Sequence, residues 1–389
     1  MSPIDNDTDL ARRGLLPAGL RDVLPLDAAH EATVIEALIT TFSAEGYDRV
    51  KPPLVEFESS LFAGPGAAMR ESTFRLMDPM SQRMMGVRAD VTVQIARIAA
   101  TRLKDAPRPL RLCYAGEVLR VMAGQLNPER QLEQVGAELV GPNSIEADVE
   151  AILLAVEALR SAGAEHLSVD ITAPRLVPEL LAVHELDGSA GAALRAAIDR
   201  KELAEVRALG GDAAATLNLL MDAAGARERG IEKLSGVILP GDARTALDRL
   251  IEVSGRIAEA EPGLNVTIDP VENRGFEYYT GIGFSLFSRG VRGELGRGGR
   301  YVVDGTGGEG SVGFTLYMET VLRALPDPCL GERLYLPYGT PRHIGSSHRE
   351  QGWVTVAGLI GETDIDGEAR RLGCSHVLDG PDLRALDNN

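Results

Sequence analysis

Residues 274–281 read Arg-Gly-Phe-Glu-Tyr-Tyr-Thr-Gly, a fixed cation beside two hydroxyl-bearing aromatics. The next apolar positions, Ile282, Phe284 and Leu286, alternate as on a half-buried strand. A guanidinium matches both oxygens of a carboxylate with its planar donors. Two tyrosines add apolar faces and hydroxyls that can grip a polar ring. Such a set can hold an amino acid. Taken alone, the octet is more simply a strand with a surface ion pair and core tyrosines, so its neighbours must decide.

The chain has 389 residues, enough for about two to three domains. Its 44% hydrophobic and 25% charged residues are ordinary for a globular protein. A formal net charge of −17 opposes a broad nucleic-acid surface, which needs clustered Lys and Arg. Cys113, Cys329 and Cys374 are odd in number and lack CxxC spacing, which excludes a disulfide scaffold and fits a reducing cytoplasm. The six histidines are dispersed, so no zinc site or other metal is expected. The acidic, polar start reads as neither a signal nor a transit peptide, and no apolar run approaches the roughly 18 residues of a membrane span.

Residues 1–15 read as a mobile tail. Val34, Ile35, Leu38, Ile39 and Phe42 recur at helical spacing before Gly46. Strands are expected at Thr73–Leu76, Met84–Val87, Leu110–Tyr114 and Gln134–Val140, with a helix from about Val91 to Arg102. Asn143 followed by Glu146 resembles a capping box opening a helix to Gly163. The Ala- and Leu-rich stretch 175–260 reads as a helical insertion on a mostly β core. Strands resume at His166–Ile171, Val266–Ile268, Tyr278–Phe287 and Ser311–Leu316. Pro326 and Pro328 mark a boundary. Beyond it, 326–389 is either a shrunken α/β remnant or a partner-docking arm, without a basic helix.

An ordered series of motifs surrounds the octet. It comprises Leu16 to Pro25, Gly46 to Glu56, Arg88-Ala89-Asp90-Val91-Thr92, Arg111 to Arg120, Arg130 to Glu138, Gly296 to Tyr301, and Gly313-Phe314-Thr315-Leu316. In that order the series resembles the catalytic core of histidyl-tRNA synthetases, over roughly residues 16–325. The resemblance implies an α+β, class II synthetase-like antiparallel sheet flanked by helices, with a dimer interface near Pro53. It also implies a histidine pocket. There Asp90, Thr92 and Gln134 would hold the amino group, Arg274 the carboxylate, and Glu138 with Tyr279 the imidazole; Arg120 and Tyr278 complete the set. The chemistry suits each role, since an ammonium wants acceptors and an imidazole can donate to a carboxylate. Each residue also has a plainer reading: Asp90 as a helix N-cap, Gln134 and Glu138 as a solvated strand face, Arg120 as an ion-pair partner.

The series departs from a working synthetase at the nucleotide. The family's Gly-Phe-x-Leu-Gly-x-Glu-Arg motif here has Tyr317 for the glycine and Thr320 for the arginine. Losing that guanidinium removes charge-assisted contacts of about 1.5–3 kcal/mol each. The glutamate expected two residues after Arg120 is Met122. The segment after Leu325 is shorter than an anticodon-binding domain of roughly a hundred residues. Together these departures resemble the regulatory-subunit family of ATP phosphoribosyltransferase. That resemblance implies a non-catalytic chain without cofactor. It would assemble with a short-form catalytic subunit, self-associate within the hetero-oligomer, and relay feedback inhibition by L-histidine. It implies no tRNA and no membrane partner. A working histidyl-tRNA synthetase and a stand-alone histidine sensor are the other readings. Gly290 to Gly299, with five glycines, is the expected mobile element.

Overall fold

A computed structural model describes residues 14–122, 128–186, 188–273, 278–303, 308–328 and 331–387. The expected mobile tail lies, up to residue 13, outside these. The chain divides into two compact units, one of Glu31–Pro326 with the residues up to Val23, the other of Asp327–Asn389 with Leu24–His30.

The larger unit carries strands β1 (Asp48–Arg49), β2 (Val55–Phe57), β3 (Arg75–Met77), β4 (Met84–Val87), β5 (Leu110–Leu119), β6 (Gln131–Gly141), β7 (Leu167–Thr172), β8 (Gly225–Ala226), β9 (Asn265–Asp269), β10 (Gly283–Ser288), β11 (Gly296–Val302) and β12 (Gly310–Tyr317). Nine form one sheet in the order β1-β5-β6-β12-β11-β10-β7-β9-β8, and β2-β4-β3 form a small second sheet. The main sheet is not wholly antiparallel, because β1 runs parallel to β5 and β7 parallel to β9. The β7–β9 crossover is made by the helical insertion, as parallel neighbours require a long connection.

Helix α1 (Pro25–Ala44) buries Val34, Leu38, Ile39 and Phe42, the stripe set by its apolar spacing. It packs on Cys113, Val135, Ala137, Phe314 and Leu316, which alternate onto one face of the sheet. The Phe42 and Phe314 rings meet edge to face, 5.5 Å between centroids. Each such buried side chain contributes about 1.5–3 kcal/mol. Helix α2 (Thr92–Thr101) follows β4 on the way to β5. In helix α3 (Ile145–Ser161) the cap is Ser144, one residue later than the Asn143 start expected. Ser144 has the extended backbone a cap requires, and its Oγ accepts from Ala147 N at 3.3 Å.

The insertion runs through helices Leu176–Val183, Gly188–Asp199, Leu203–Leu209, Ala214–Asp222 and Arg227–Leu234 to the long α4 (Gly241–Ala260). A buried ionic knot ties α4 to the sheet. Asp148 of α3, 1% exposed, accepts from Arg249 of α4 at 2.6 Å and from Arg300 of β11 at 2.9 Å. Both guanidiniums also bond Ser144 O, and Arg300 reaches Pro142 O at 2.7 Å.

Of the expected mobile element Gly290 to Gly299, residues 290–295 are turn and loop, and only Gly296 to Gly299 is strand. Gly296, Gly298 and Gly299 lie in β11, hydrogen-bonded between β10 and β12. A side chain at Gly298 would strike Gly313 O at 2.3 Å and the Phe284 ring at 2.5 Å. These glycines therefore serve close packing of backbone on ring, not motion.

After Met318–Arg323 (α5), the smaller unit has strands β13 (Arg333–Leu336), β14 (Val354–Ala357), β15 (His376–Asp379) and β16 (Asp382–Ala385), in the order β14-β13-β15-β16. Parallel pairing of β13 with β14 and β15 is bridged by helices α6 (Arg342–Glu350) and α7 (Ile365–Arg371). Alternation along β13 builds two cores: Leu334 and Leu336 pack with Ile344 and Trp353, and Tyr335 with Ala369, Cys374 and Val377. Contrary to expectation α6 is basic, with Arg342, His343, His348 and Arg349 against one Glu350. The strand spacing alone carries no charge information, so only the helix boundary groups these residues. No helix among the described residues is long and apolar enough to cross a membrane.

Candidate functional site

The sheet face opposite α1 is polar because of strand registry. Gln134 of β6 stands opposite Gly116 and Tyr317, Gly136 opposite Tyr114 and Thr315, and Glu138 opposite Leu112 and Gly313. On β11, Arg297 pairs with Thr315, Gly299 with Gly313 and Tyr301 with Ser311. Alternation therefore gathers Gln134, Glu138, Tyr114, Thr315, Tyr317, Arg297, Tyr301 and Ser311 on one face.

Asp90, just ahead of α2, spans two roles. Its Oδ1 accepts from Thr92 N at 2.9 Å, capping the first turn, while Oδ2 accepts from Gln134 Nε2 at 3.1 Å. Gln134, fully buried, accepts in turn from Val91 N at 3.0 Å. This fixes the amide so that its NH₂ faces Asp90. The Thr92 hydroxyl lies 3.2 Å from Tyr114 Oη and 3.4 Å from Thr315 Oγ1, and the latter two are 2.7 Å apart.

Glu138 is 1% exposed, and Tyr301 donates to its Oε2 at 3.0 Å. Burial pushes its carboxyl up to about 8 against the lowering effect of hydrogen bonds from Tyr301, Thr92 and Ser311; the Asp90 charge pushes it further up. The carboxyl lies flat on Gly313, where any Cβ would fall 2.0 Å from Oε2 and 2.5 Å from Ala137 O. Gly136 likewise gives room to Tyr114, whose Oη a Cβ would meet at 2.5 Å.

Tyr278 and Tyr279 lie beside this group with ring centroids 4.2 Å apart and planes tilted by 39°, and Tyr278 meets Tyr301 edge to face at 6.2 Å. Burial raises both hydroxyls above the ordinary tyrosine range, so they act as neutral donors. Thr280 N bonds Arg300 O at 2.7 Å, tying the tyrosine segment to β11. Arg120 directs Nε to Ala89 O at 3.4 Å, one residue from Asp90. Arg274, with residues 275–277, lies outside the described residues.

The structure thus brings Asp90, Thr92, Gln134, Glu138, Tyr278 and Tyr279 together, with Arg120 beside the Asp90 loop. Tyr114, Thr315, Tyr301, Ser311 and Arg297 join them and were missed by sequence reasoning. Their signal was strand parity with Gln134 and Glu138, which says which residues share a face only once the register is known. Arg297 is held by Glu294 through Nε at 2.8 Å. Burial pulls its guanidinium down, but the oxygens of Tyr317, Glu294 and Tyr279 outweigh that and secure the positive charge.

The substituted motif positions have other work. Tyr317 stands in register with Gln134 on the same face, its hydroxyl pushed up to about 12 by burial. Thr320 is buried, and its hydroxyl accepts from Arg323 at 3.2 Å. Met122 is 76% exposed and offers no carboxylate. Arg88 is structural, bonding Glu117 O at 2.7 Å and Pro52 O at 3.1 Å. Among the described residues no cluster of His, Cys, Asp and Glu could hold a metal ion.

A family model described as histidyl-tRNA synthetase matches residues 19–321. An ATP phosphoribosyltransferase regulatory subunit from Rhodospirillum centenum is 52% identical over 374 residues, covering 96% of this chain and 97% of its own. A crystal structure of an ATP phosphoribosyltransferase regulatory subunit/histidyl-tRNA synthetase from Bacillus halodurans C superposes with a TM-score of 0.77 at 25% identity, covering 92% of this chain and 96% of that one. A chain of the HisG:HisZ complex of ATP phosphoribosyl transferase from Thermotoga maritima shares the fold at a TM-score of 0.58 and 19% identity, covering 77% of this chain and 99% of that one.

Proposed function

Because the chain belongs to the ATP phosphoribosyltransferase regulatory subunits, a family built on the histidyl-tRNA synthetase domain, we propose that its polar pocket senses histidine for a catalytic subunit. It is the non-catalytic member of the enzyme that opens histidine biosynthesis. The observation that carries the sensor reading is the meeting of half-buried Asp90 and Thr92, at the start of α2, with buried Gln134 and Glu138 of β6, while Thr320 and Met122 stand where a nucleotide would need charge.

In this reading the ligand's ammonium meets Asp90, Thr92 and Gln134, and its ring meets Glu138 and Tyr279. Arg274 takes the carboxylate, and Arg120 and Tyr278 close the rim. The partner is a short-form catalytic subunit in a cytoplasmic hetero-oligomer, with no tRNA, which the net charge of −17 disfavours. Regulation requires that histidine bind differently to two states of that assembly, since equal binding shifts nothing. A structural route is available. A ligand that moves Tyr279 pulls on Arg300 through Thr280, and Arg300 is knotted through Asp148 to α4.

The test is reconstitution with a short-form catalytic subunit. Stimulated phosphoribosyl transfer that histidine then suppresses is the expected result. Absence of both, or histidine-dependent ATP–pyrophosphate exchange by this chain alone, overturns the reading.

A further inference from the structure

The histidine pocket of the proposed function contains an acid with no described counter-cation. The group hydrogen-bonded to Glu138 among the described residues is the Tyr301 hydroxyl of β11, and the hydroxyls of Ser311 on β12 and Thr92 on α2 lie close by. The titratable groups acting on it are Asp90 ahead of α2, Tyr114 on β5, Tyr301 on β11, Tyr279, and Tyr47 beyond β5, all neutral or negative, while the cation on the same face, Arg297 of β11, is ion-paired with Glu294. Among the described residues no Lys, Arg or His is ion-paired with it. Gly313 lies directly against the carboxyl, and the residue is 1% exposed, so water does not reach it.

A carboxylate sealed in such a place is costly, whereas a neutral acid is not. We infer that Glu138 meets its ligand as a neutral carboxylic acid, so that the pocket selects an unprotonated imidazole ring and the two share one proton. The proton begins on the Glu138 oxygen not engaged by Tyr301. It is donated to, or transferred onto, a ring nitrogen, giving either a neutral hydrogen bond or an imidazolium–carboxylate pair. Near pH 7, where the acid already carries the proton, none is exchanged with solvent in either case. Ring nitrogens with a lone pair and basicity near neutrality are therefore preferred over a cation or an apolar ring. Affinity should fall on the acid side as free imidazole charges near pH 6.5, and on the alkaline side as Glu138 ionises.

Calorimetric titration of histidine into the full chain, in buffers of different ionisation heat, reads the proton count directly. At pH 7 wild type should take up about zero protons, and Glu138→Gln, a neutral mimic, should bind within about tenfold. At pH 9 wild type should take up about one proton more than Glu138→Gln, the subtraction cancelling the ligand's own amino group. Uptake of about one proton at pH 7, or equal uptake by both proteins at pH 9, overturns the inference while leaving the pocket assignment intact. Failure of wild type to bind histidine at any pH overturns the pocket assignment itself, and the inference with it.

Discussion

Two carboxyls in this protein, Glu138 and Asp148, are each 1% exposed, yet their surroundings have opposite character. Asp148 sits between two guanidiniums, Arg249 and Arg300, with its remaining neighbours carbonyl oxygens those arginines also bond. Glu138 sits among hydroxyls and beside another acid. Burial alone does not mark a site. A carboxyl whose partners are already complete holds elements together, and one left with only weak donors waits for something else to bring charge or a ring nitrogen.

The comparison can be broken most forcefully at Asp148. Asp148→Ala strands two arginines, one of them 4% exposed, and should destabilise the protein by about 3–5 kcal/mol, read from the midpoint of urea unfolding. A smaller loss would mean that α4 and β11 are joined by other contacts. Gly313→Ala attacks the other carboxyl by placing a methyl on Oε2 of Glu138. It should cost about 1–3 kcal/mol in the same assay and abolish histidine binding, because the carboxyl cannot keep its place.

A gentler probe is stability against pH in the unliganded chain. Glu138 titrates near 8 when folded and about 4.3 when unfolded, so folding favours its protonated form. Its stabilising share is complete below about pH 4.3 and is lost as pH rises to 8. Wild type should therefore lose stability relative to Glu138→Gln across that window, with no further divergence above it. A constant difference between the two proteins would show Glu138 ionised throughout. The smallest effect belongs to ordinary surface pairs. Arg244 and Asp248, 43% and 54% exposed along α4, form a solvent-screened pair, so that Arg244→Ala should barely move the melting temperature.

Local patterns made much of this molecule legible in advance. Val34, Leu38, Ile39 and Phe42 declare α1 by their spacing, and Gln134 with Glu138 fall on one face of a strand by parity. The synthetase-like series named most of the pocket for the same reason: its motifs are the loops and strand ends that meet there. Tyr114, Thr315 and Tyr301 were not legible, because alternation defines two faces without saying which receives a ligand. Asp148 was less so. In sequence it is one acid in the first turn of α3, where acids are common, and only arginines 101 and 152 residues away make it a core residue. The Gly290 to Gly299 stretch was read too broadly for a related reason: in its last part, Gly296 to Gly299, glycine needed for close strand packing looks the same as glycine needed for motion.

The most direct test joins the pocket to regulation. Phosphoribosyl transfer is followed in the reconstituted complex while histidine is added, with wild type and with Glu138→Ala. The substituted chain should still stimulate its catalytic partner, which also shows that it folds, but histidine should no longer inhibit. Equal inhibition of both complexes would contradict the assignment of this pocket as the sensor.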